Sequence, residues 1–270
     1  MIKPDAHYFV SPSMDVPCAL ELGYADVVVF SRASPDKSSP NEDSAAVFHL
    51  APGVTVLAVA DGLGGSRDGQ SASATAVHCL GRALCDVAHD DAALRAGVLN
   101  GLEAANAEIL ARGVGAATTL VVAMVVHDRI RVFHVGDSAL LQVGQRGRMV
   151  QQTVAHSPVG FAEAAGMLTE EEALHHEERH FVSNTLGSAD MRIEVGPSLA
   201  LKRRDTVLLA TDGLFDNLRV EEIVERVRIG ALSQAGGRLQ ASAQHRMATP
   251  ESQQPSKPDD LTFVLFRRAT

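Results

Sequence analysis

Acidic residues stand at the ends of several short apolar runs, and this placement is the first sign of chemistry in the sequence. Asp61 ends VTVLAVA, Asp137 follows IRVFHVG and Asp212 follows VLLAT. The full set is Glu42, Asp43, Asp61, Asp137, Asp212, Asp259 and Asp260. Apolar runs of this length are typical of buried strands. If the strand ends meet, each close pair of carboxylates repels by about 1 kcal/mol in water and about 4 kcal/mol at an intermediate dielectric constant.

Divalent cations are the natural compensation for such repulsion. Ligand sets made only of oxygen favour hard ions such as Mg²⁺ or Mn²⁺ over zinc. The first acid is also followed by glycines, in the run ADGLGG over residues 60–65. Glycine lets the backbone turn sharply and approach a ligand closely. The sequence therefore predicts a turn that binds cations directly after a buried strand.

Composition predicts a globular protein and argues against two classes of partner. The chain has 270 residues, of which 46% are hydrophobic and 21% charged, with a net charge of -9. Such a composition supports a packed core, and excess negative charge argues against nucleic acid and anionic membranes as partners. Because no internal repeat or linker is visible, we interpret residues 1–270 as one domain. Residues 1–23 form a mixed lead-in.

Cysteine usage and the N-terminus indicate a cytoplasmic protein. Cys18, Cys79 and Cys85 are odd in number and contain no CxxC pair, so we expect reduced thiols, with Cys79 and Cys85 filling the core. The N-terminus has no long apolar segment, which argues against a signal peptide. No run approaches the ~18 apolar residues of a membrane span.

The pattern after the first buried strand predicts helices and then antiparallel strands. Residues 70–90 and 91–112 have helical periodicity, with Asp90 or Asp91 as a possible N-cap, and would form a helical layer on a sheet. Residues 115–126 and 130–135 flank the short polar turn HDR and predict a hairpin. Residues 139–143 and 149–153 predict another hairpin. Short turns between strands favour antiparallel sheets.

The segment 155–183 has mixed polarity and is predicted to leave the sheet as a flap. Thr169, with Glu172 three residues on, predicts a capping box for a short helix there. His156 at its start is a candidate proton donor, although a structural role is the leading interpretation. We read His175, His176 and His180 as solvated. Residues 217–247 predict a helix broken near Gly230 or Gly236-Gly237.

Six short motifs occur in a fixed order along the chain. They are NED (41–43), ADGLGG (60–65), GAATTL (115–120), HVGDS (134–138), ATDGLFD (210–216) and DDLT (259–262), with NTLG (184–187) as a seventh. In this order and spacing the chain resembles bacterial members of the PPM family, the type-2C metal-dependent protein serine/threonine phosphatases. The resemblance covers residues 27–266, nearly the whole chain.

The resemblance implies an α+β fold, a four-layer α/β/β/α sandwich of two mainly antiparallel sheets flanked by helices. A centre of two Mn²⁺ or Mg²⁺ ions would lie at one end. By motif position, Asp61 would bridge the two ions, and the remaining ligands would be Glu42, the carbonyl of Gly62, Asp212 and Asp259. Asp137 matches the position of a third ion, with a turn acid as the open alternative. Asp43 matches a neighbouring acid that supports the ligands.

The same resemblance implies hydrolysis of phosphoserine and phosphothreonine by direct attack of a metal-activated water, with Asp61 and Asp212 as the catalytic residues. Two cations can share a water and lower its pKa. The substrate would be a phosphorylated protein, opposite a serine/threonine kinase. Alternatives are a non-catalytic phosphoprotein-binding module of the same fold and a hydrolase of small phosphoesters.

Three positions depart from the family pattern, and for one of them, Ala139 where arginine is frequent, we expect a structural consequence only. The arginine that usually precedes the NED motif is absent, because position 38 is Ser. Lys37 is our candidate for contact with the substrate phosphate, the alternative being a solvated loop lysine. Leu63 stands where many eukaryotic relatives have a histidine proposed as general acid, so that the proton donor is left open.

Overall fold

The computed structural model describes residues 5–35, 37–63, 67–251 and 254–269. Gly64 and Gly65 of the predicted glycine-rich turn lie outside the described residues. The strands are β1 Asp5–Val10, β2 Cys18–Glu21, β3 Ala25–Arg32, β4 Ser44–Ala51, β5 Val54–Ala60, β6 Gly62–Leu63, β7 Ala117–Thr118, β8 Leu120–Val126, β9 Arg129–Val135, β10 Ala139–Val143, β11 Met149–Gln152, β12 Glu194–Val195, β13 Leu199–Ala200, β14 Thr206–Ala210 and β15 Leu261–Arg268. The helices are α1 Arg67–Leu84, α2 Asp91–Ala111, α3 Pro158–Ala164, α4 Glu170–Leu174, α5 Asp212–Phe215, α6 Val220–Val227 and α7 Leu232–Ala248.

Two large antiparallel sheets form the centre of the molecule. The first sheet has the strand order β1-β4-β5-β8-β9-β12, and β13 also pairs with β9. The second sheet has the order β11-β10-β14-β15-β3-β2. The short strands β6 and β7 pair with each other beside them. All paired strands among the described residues run antiparallel, and four pairs, β2–β3, β4–β5, β8–β9 and β10–β11, are joined directly by short turns.

Alternation along the strands places one core between the sheets and one outside each sheet. On β3, Val27 and Val29 lie in the cluster between the two sheets, whereas Val28 and Phe30 lie in the cluster with α5, α6 and α7. The other face of the first sheet packs against α1 and α2. Both faces of each sheet are therefore buried, which explains the continuous apolar runs. The predicted four-layer α/β/β/α sandwich is confirmed.

Several local predictions are confirmed. Both hairpins form, as β8 with β9 and β10 with β11. Asp90 caps α2 by accepting the backbone N–H of Ala93, and Thr169 forms the capping box of α4 with Glu172. The predicted break before α7 lies near Gly230, whose φ is 85°.

Other boundaries differ from the predictions. Helix α1 ends at Leu84, six residues before the predicted end, because Asp86 adopts a positive φ of 62° that a helix cannot continue through. Cys85 therefore lies exposed beyond the helix, so that its predicted role in the core is wrong, while Cys79 is buried as predicted.

Among the described residues, no helix combines the length and apolar character that crossing a bilayer requires.

Candidate metal centre

The strand register of the first sheet brings its acidic segments to one end of the sandwich. The start of β4 lies beside the end of β5, since Ser44 pairs with Ala60. The end of β9 reaches the same edge, because Val135 pairs with Leu120 at the start of β8. The acids that follow or precede these strand ends are Glu42, Asp43, Asp61 and Asp137.

The second sheet contributes the remaining acids at the same end. Ala210 at the end of β14 pairs with Ala139 at the start of β10 and with Phe263 near the start of β15. Asp212 is the first residue of α5, and Thr211 alone separates it from the end of β14. Asp259 and Asp260 immediately precede β15.

The acids of the two sheets lie close enough to alter one another's ionisation. Burial raises the pKa of Asp61 well above its usual range, and the charges of Asp43 and Asp212 raise it further. Burial also raises the pKa of Asp137 to about 7 and that of Asp259 to about 6. In both, repulsion from Asp212 is the next largest cause. One cluster of mutually repelling carboxylates therefore spans the two sheets.

Asp260 anchors the loop that carries Glu42. Its Oδ2 accepts the backbone N–H of Glu42 at 2.7 Å, and its Oδ1 accepts that of Ser34 at 2.8 Å. The ammonium of Lys37 lies between Asp260, at 2.7 Å, and the Glu42 carboxylate. Burial alone would lower the pKa of Lys37, but the hydrogen bonds that it donates to Asp260 and Glu42 raise it. The candidate phosphate contact is thus engaged with two carboxylates in this structure.

Asp43 is fully buried beside the cluster. Its Oδ2 accepts the hydroxyl of Thr211 at 3.1 Å, and its backbone N–H donates to Asn41 Oδ1 at 2.9 Å. Asn41 in turn donates to Ser31 Oγ at 2.8 Å. These bonds run between the start of β4, the end of β14 and β3, so that Asp43 helps fix the spacing of the two sheets at the acidic end.

Two threonines of the GAATTL motif hold the turn that contains Asp61. The Asp61 backbone N–H donates to Thr119 Oγ1 at 3.0 Å, and the Asp61 carbonyl accepts Thr118 Oγ1 at 2.7 Å. Thr119 Oγ1 also lies 2.6 Å from Ser138 Oγ, next to Asp137. Sequence reasoning quoted this motif without assigning it a role. In the structure it orients the backbone at the head of the cluster.

Gly62 occurs where two segments approach too closely for a side chain. A Cβ atom at Gly62 would lie 2.2 Å from the carbonyl oxygen of Gly69 and 2.7 Å from that of Glu42. Only glycine fits such an approach. The turn after Asp61 is therefore pressed between the start of α1 and the loop that carries Glu42.

Lys257 is a site residue that sequence reasoning missed. Its Nζ lies 2.7 Å from Asp212, 2.8 Å from Asp216 and 3.1 Å from Asp259. Burial alone would lower the pKa of Lys257, but these three carboxylates raise it above its usual range. The residue stands in a polar, proline-rich loop, and the only signal was its position two residues before Asp259. Asp216 lay within a quoted motif but received no role.

Three carboxylate oxygens of the cluster have no hydrogen-bond partner among the described residues. They are Glu42 Oε1, Asp43 Oδ1 and Asp212 Oδ1, and all three are buried. Buried polar atoms are nearly always paired, so such atoms call for an ion or water. The donor set is all oxygen, which suits Mg²⁺ or Mn²⁺. The residues present therefore fit hard divalent cations.

One of the histidines named from the sequence, His156, bonds to Gly136, the residue before Asp137. The buried His156 contacts Gly136, Asn184 and Glu194. His175 is exposed and pairs with Glu171 at 3.2 Å. Within the described residues, His175, His176 and His180 form no group with metal-ligand spacing.

Comparison with known proteins gives consistent matches over most of the chain. The family model "Protein phosphatase 2C" matches residues 32–248. The serine/threonine protein phosphatase PstP of Mycobacterium tuberculosis is 32% identical over 210 residues, covering 74% of this chain and 38% of that protein. Protein phosphatase PhpP of Streptococcus pneumoniae is 32% identical over 197 residues, covering 69% and 78%. The chain thus spans well under half of PstP and most of PhpP.

Solved structures agree with these matches. The Streptococcus agalactiae serine/threonine phosphatase superposes with a TM-score of 0.79 at 28% identity, covering 90% of this chain and 99% of that chain. The catalytic domain of serine threonine protein phosphatase PstP, solved in complex with two manganese ions, superposes with a TM-score of 0.72 at 25% identity, covering 92% and 99%.

Proposed function

Because the chain belongs to the protein phosphatase 2C family, we propose that it is a metal-dependent protein serine/threonine phosphatase. The observation that carries this proposal is the cluster of carboxylates that both sheets contribute at one end of the sandwich, with three buried oxygens that lack a hydrogen-bond partner. Relatives named as serine/threonine phosphatases support it. The proposed substrate is a protein that carries phosphoserine or phosphothreonine.

We propose two Mn²⁺ or Mg²⁺ ions, with a third at Asp137. The two manganese ions in the PstP structure support this choice. The assigned ligands are Glu42, Asp61, the carbonyl of Gly62, Asp137, Asp212 and Asp259. When bound, such ions lower the pKa of a water and stabilise charge on phosphoryl oxygens.

The chain's own groups would orient these ligands and the substrate. Asp61 and Asp212 are proposed as the catalytic residues, because they follow the ends of strands that belong to different sheets. Thr118 and Thr119 fix the Asp61 backbone, and Asp43 supports the Asp212 side through Thr211. Lys37 is proposed to contact the substrate phosphate as a point charge.

The experiment measures phosphate release from a phosphothreonine peptide in Mn²⁺ and in EDTA. We expect release only with Mn²⁺, and its loss in Asp212→Ala. The matched control is Asp128→Ala, because Asp128 is an exposed acid in the turn between β8 and β9, away from the cluster. An Asp212→Ala variant as active as wild type would refute the site.

The same assay separates the alternatives. A binding module would hold the phosphopeptide stoichiometrically and release nothing, and a small-phosphoester hydrolase would prefer a substrate such as p-nitrophenyl phosphate.

We further propose one domain over residues 1–270, a flap over 155–183, action in the cytoplasm and a serine/threonine kinase as the opposing enzyme. The three free cysteines support the cytoplasmic setting.

A further inference from the structure

Beside the carboxylate cluster lies a second group of side chains of metal-ligand type, formed by His134, His156 and Glu194. His134 lies on β9 and pairs in register with Glu194 on β12. His156 follows β11, and its ring stacks on that of His134 with centroids 4.4 Å apart. His156 Nε2 lies 3.1 Å from Glu194 Oε2, and His134 Nε2 lies 3.9 Å from it.

The hydrogen bonds of the two rings argue against a metal at this group. His156 Nδ1 faces the backbone N–H of Gly136 at 3.1 Å, and an amide nitrogen can only donate. The proton of the neutral ring is therefore on Nε2, towards Glu194. His134 Nε2 faces the carbonyl of Val154 at 3.1 Å, which can only accept, so this nitrogen also carries its proton. Neither Nε2 has a lone pair for a cation.

His156, at the start of the flap, also bonds to the end of the flap and to the turn that contains Asp137. Its backbone N–H donates at 3.0 Å to the carbonyl of Gly136, the residue before Asp137. Its carbonyl accepts the backbone N–H of Ser183 at 2.8 Å and the Ser183 hydroxyl at 2.9 Å, at the end of the flap. The residue thus ties the entry and exit of this segment to the turn that contains Asp137.

Asn184 completes this arrangement through the ring. Its Nδ2 donates to His156 Nδ1 at 2.8 Å and to the Arg192 carbonyl at 2.7 Å. Its Oδ1 accepts the Arg192 backbone N–H at 3.0 Å, which fixes the orientation of the amide. His156 Nδ1 therefore faces two groups that can only donate, the Gly136 backbone N–H and the Nδ2 of Asn184, whose orientation is fixed by Arg192.

The position of the flap matters because it forms one wall of a cleft beside the carboxylates. The cleft has a volume of about 350 Å³ and is lined by Val159 and Ala173 of the flap as well as by Asp137 and Asp212. At its far end the flap contacts α6 through more exposed bonds, such as that from the Val220 backbone N–H to Glu170 at 2.8 Å. The buried hydrogen bonds of His156 are thus the main contacts that hold the two ends of the flap, near residues 156 and 183.

We propose that His156 is a positioning residue, whose Nδ1 accepts the Gly136 N–H and the Asn184 amide and so fixes the flap relative to the Asp137 turn. The effect of His156 on catalysis rests on the proposed phosphatase function. Its effect on the position of the flap does not, because loss of the Nδ1 acceptor would leave buried N–H donors unpaired and release the flap whatever the activity of the protein.

The test compares two amide substitutions that each keep a different half of the imidazole. His156→Asn keeps an acceptor near the position of Nδ1, whereas His156→Gln places its amide near the position of Nε2. The readout is the rate of tryptic cleavage after Arg179 in the flap, monitored by mass spectrometry. In His156→Gln we expect this rate to rise about tenfold, because buried donors are left unpaired. In His156→Asn it should stay within about threefold of wild type, as expected when the acceptor is kept.

Two further variants serve as control and as second test. Glu194→Gln alters the Nε2 side and should leave cleavage unchanged. Asn184→Asp is isosteric and removes the donor to Nδ1, so it should raise the cleavage rate as His156→Gln does. If His156→Gln does not fold, the cleavage rate of Asn184→Asp tests the proposal alone. Equal cleavage rates in His156→Asn and His156→Gln, or an unchanged rate in Asn184→Asp, would overturn the proposal.

The kinetic readout is the KM for a phosphothreonine peptide against that for p-nitrophenyl phosphate. A displaced flap wall should raise the peptide KM in His156→Gln about tenfold and change the KM of the small ester less, since uniform binding is lost only where the flap touches substrate. An equal rise for both substrates would contradict this role of the flap. If wild-type protein releases no phosphate, the proposed function fails, while the proteolysis still decides the role of His156.

Discussion

Lys257 places a positive charge where the carboxylates of the second sheet would otherwise meet unpaired. Its ammonium lies within 3.1 Å of Asp212, Asp216 and Asp259. Two of these residues are proposed metal ligands, so the lysine and a divalent cation offset the same negative charge. We therefore expect this side chain to stabilise the metal-free protein and to compete with a metal ion for the same carboxylates.

Lys257→Met should therefore have opposite effects on stability and on metal binding. Without the ammonium the three carboxylates repel one another, so the Tm of the protein in EDTA should fall. Calorimetric titration should show Mn²⁺ bound about 5- to 10-fold more tightly, equivalent to ~1 kcal/mol of removed competition. Lys202→Met, a change at an exposed lysine, is the control. Weaker Mn²⁺ binding by Lys257→Met would instead make the lysine a support of the site.

The raised pKa of Asp137, about 7, predicts how the stability of the metal-free protein depends on pH. Between the unfolded pKa of ~3.9 and the folded value, the folded state binds more protons, so this group makes stability fall as pH rises. The Tm in EDTA should fall less in Asp137→Asn than in wild type between about pH 5.5 and about pH 8. Identical slopes would contradict a raised pKa at this residue.

Residue roles were predictable only where a motif carried them. The acids at strand ends follow from short apolar runs, and the structure gathers all of them at one end. Lys257 was not predictable, because its loop has no periodicity and its partners are acids distant in sequence as well as close ones. Lys37 was noticed for its charge, but its engagement with Asp260 depends on how the second sheet returns to the first.

At the scale of elements, close packing of α5 against β15 sets the distance between Asp212 and Asp259. A Cβ atom at Gly213 would lie 1.9 Å from the carbonyl oxygen of Asp260. Both partners in this contact are backbone atoms, so neither α5 nor the start of β15 can shift without moving a proposed ligand. The glycine is thus part of the site's geometry although it has no side chain.

Gly213→Ala should lower both stability and Mn²⁺ affinity. Overpacking of this kind costs about 1–3 kcal/mol, and Mn²⁺ binding should weaken because Asp212 and Asp259 separate. The matched control is Gly237→Ala on α7, where a Cβ would meet nothing within 4 Å. That change should raise stability by about 0.5–1 kcal/mol. Chemical denaturation and calorimetry measure both effects, and a neutral Gly213→Ala would contradict the tight approach.

Elements with strong periodicity were predictable, and elements set by tertiary contacts were not. The hairpins β8–β9 and β10–β11 follow from alternating runs around short turns. Strands β12 and β13 have two residues each and exist because β9 offers a free edge. Helix α3 begins at Pro158 with Ser157 as its cap, a signal that was present in the sequence but that the mixed polarity of the segment hid.

At the scale of the whole molecule, the two sheets are joined twice. The apolar core between them holds their faces together, and the acidic end joins their strand ends through the network from Asn41 to Thr211. The apolar core stabilises the sandwich in water whether or not a metal is bound. The acidic end opposes folding unless cations compensate for its charges, so metal binding and folding are linked.

This linkage predicts that Mn²⁺ stabilises the protein only when ligands from both sheets are present. At free Mn²⁺ about 100-fold above its Kd, binding adds ~2.7 kcal/mol, which raises the Tm of a chain of this size by about 5 °C or more. Asp61→Asn in the first sheet and Asp212→Asn in the second should each abolish most of this rise.

Asp128→Asn, at an exposed turn of the first sheet, should keep the full rise in Tm. The comparison is made by thermal unfolding with Mn²⁺ and with EDTA, and it needs no phosphatase activity. If Asp61→Asn lost the Mn²⁺ effect while Asp212→Asn kept it, the metal would be bound by one sheet alone. The convergence of strand ends would then hold the sandwich closed without forming a shared site.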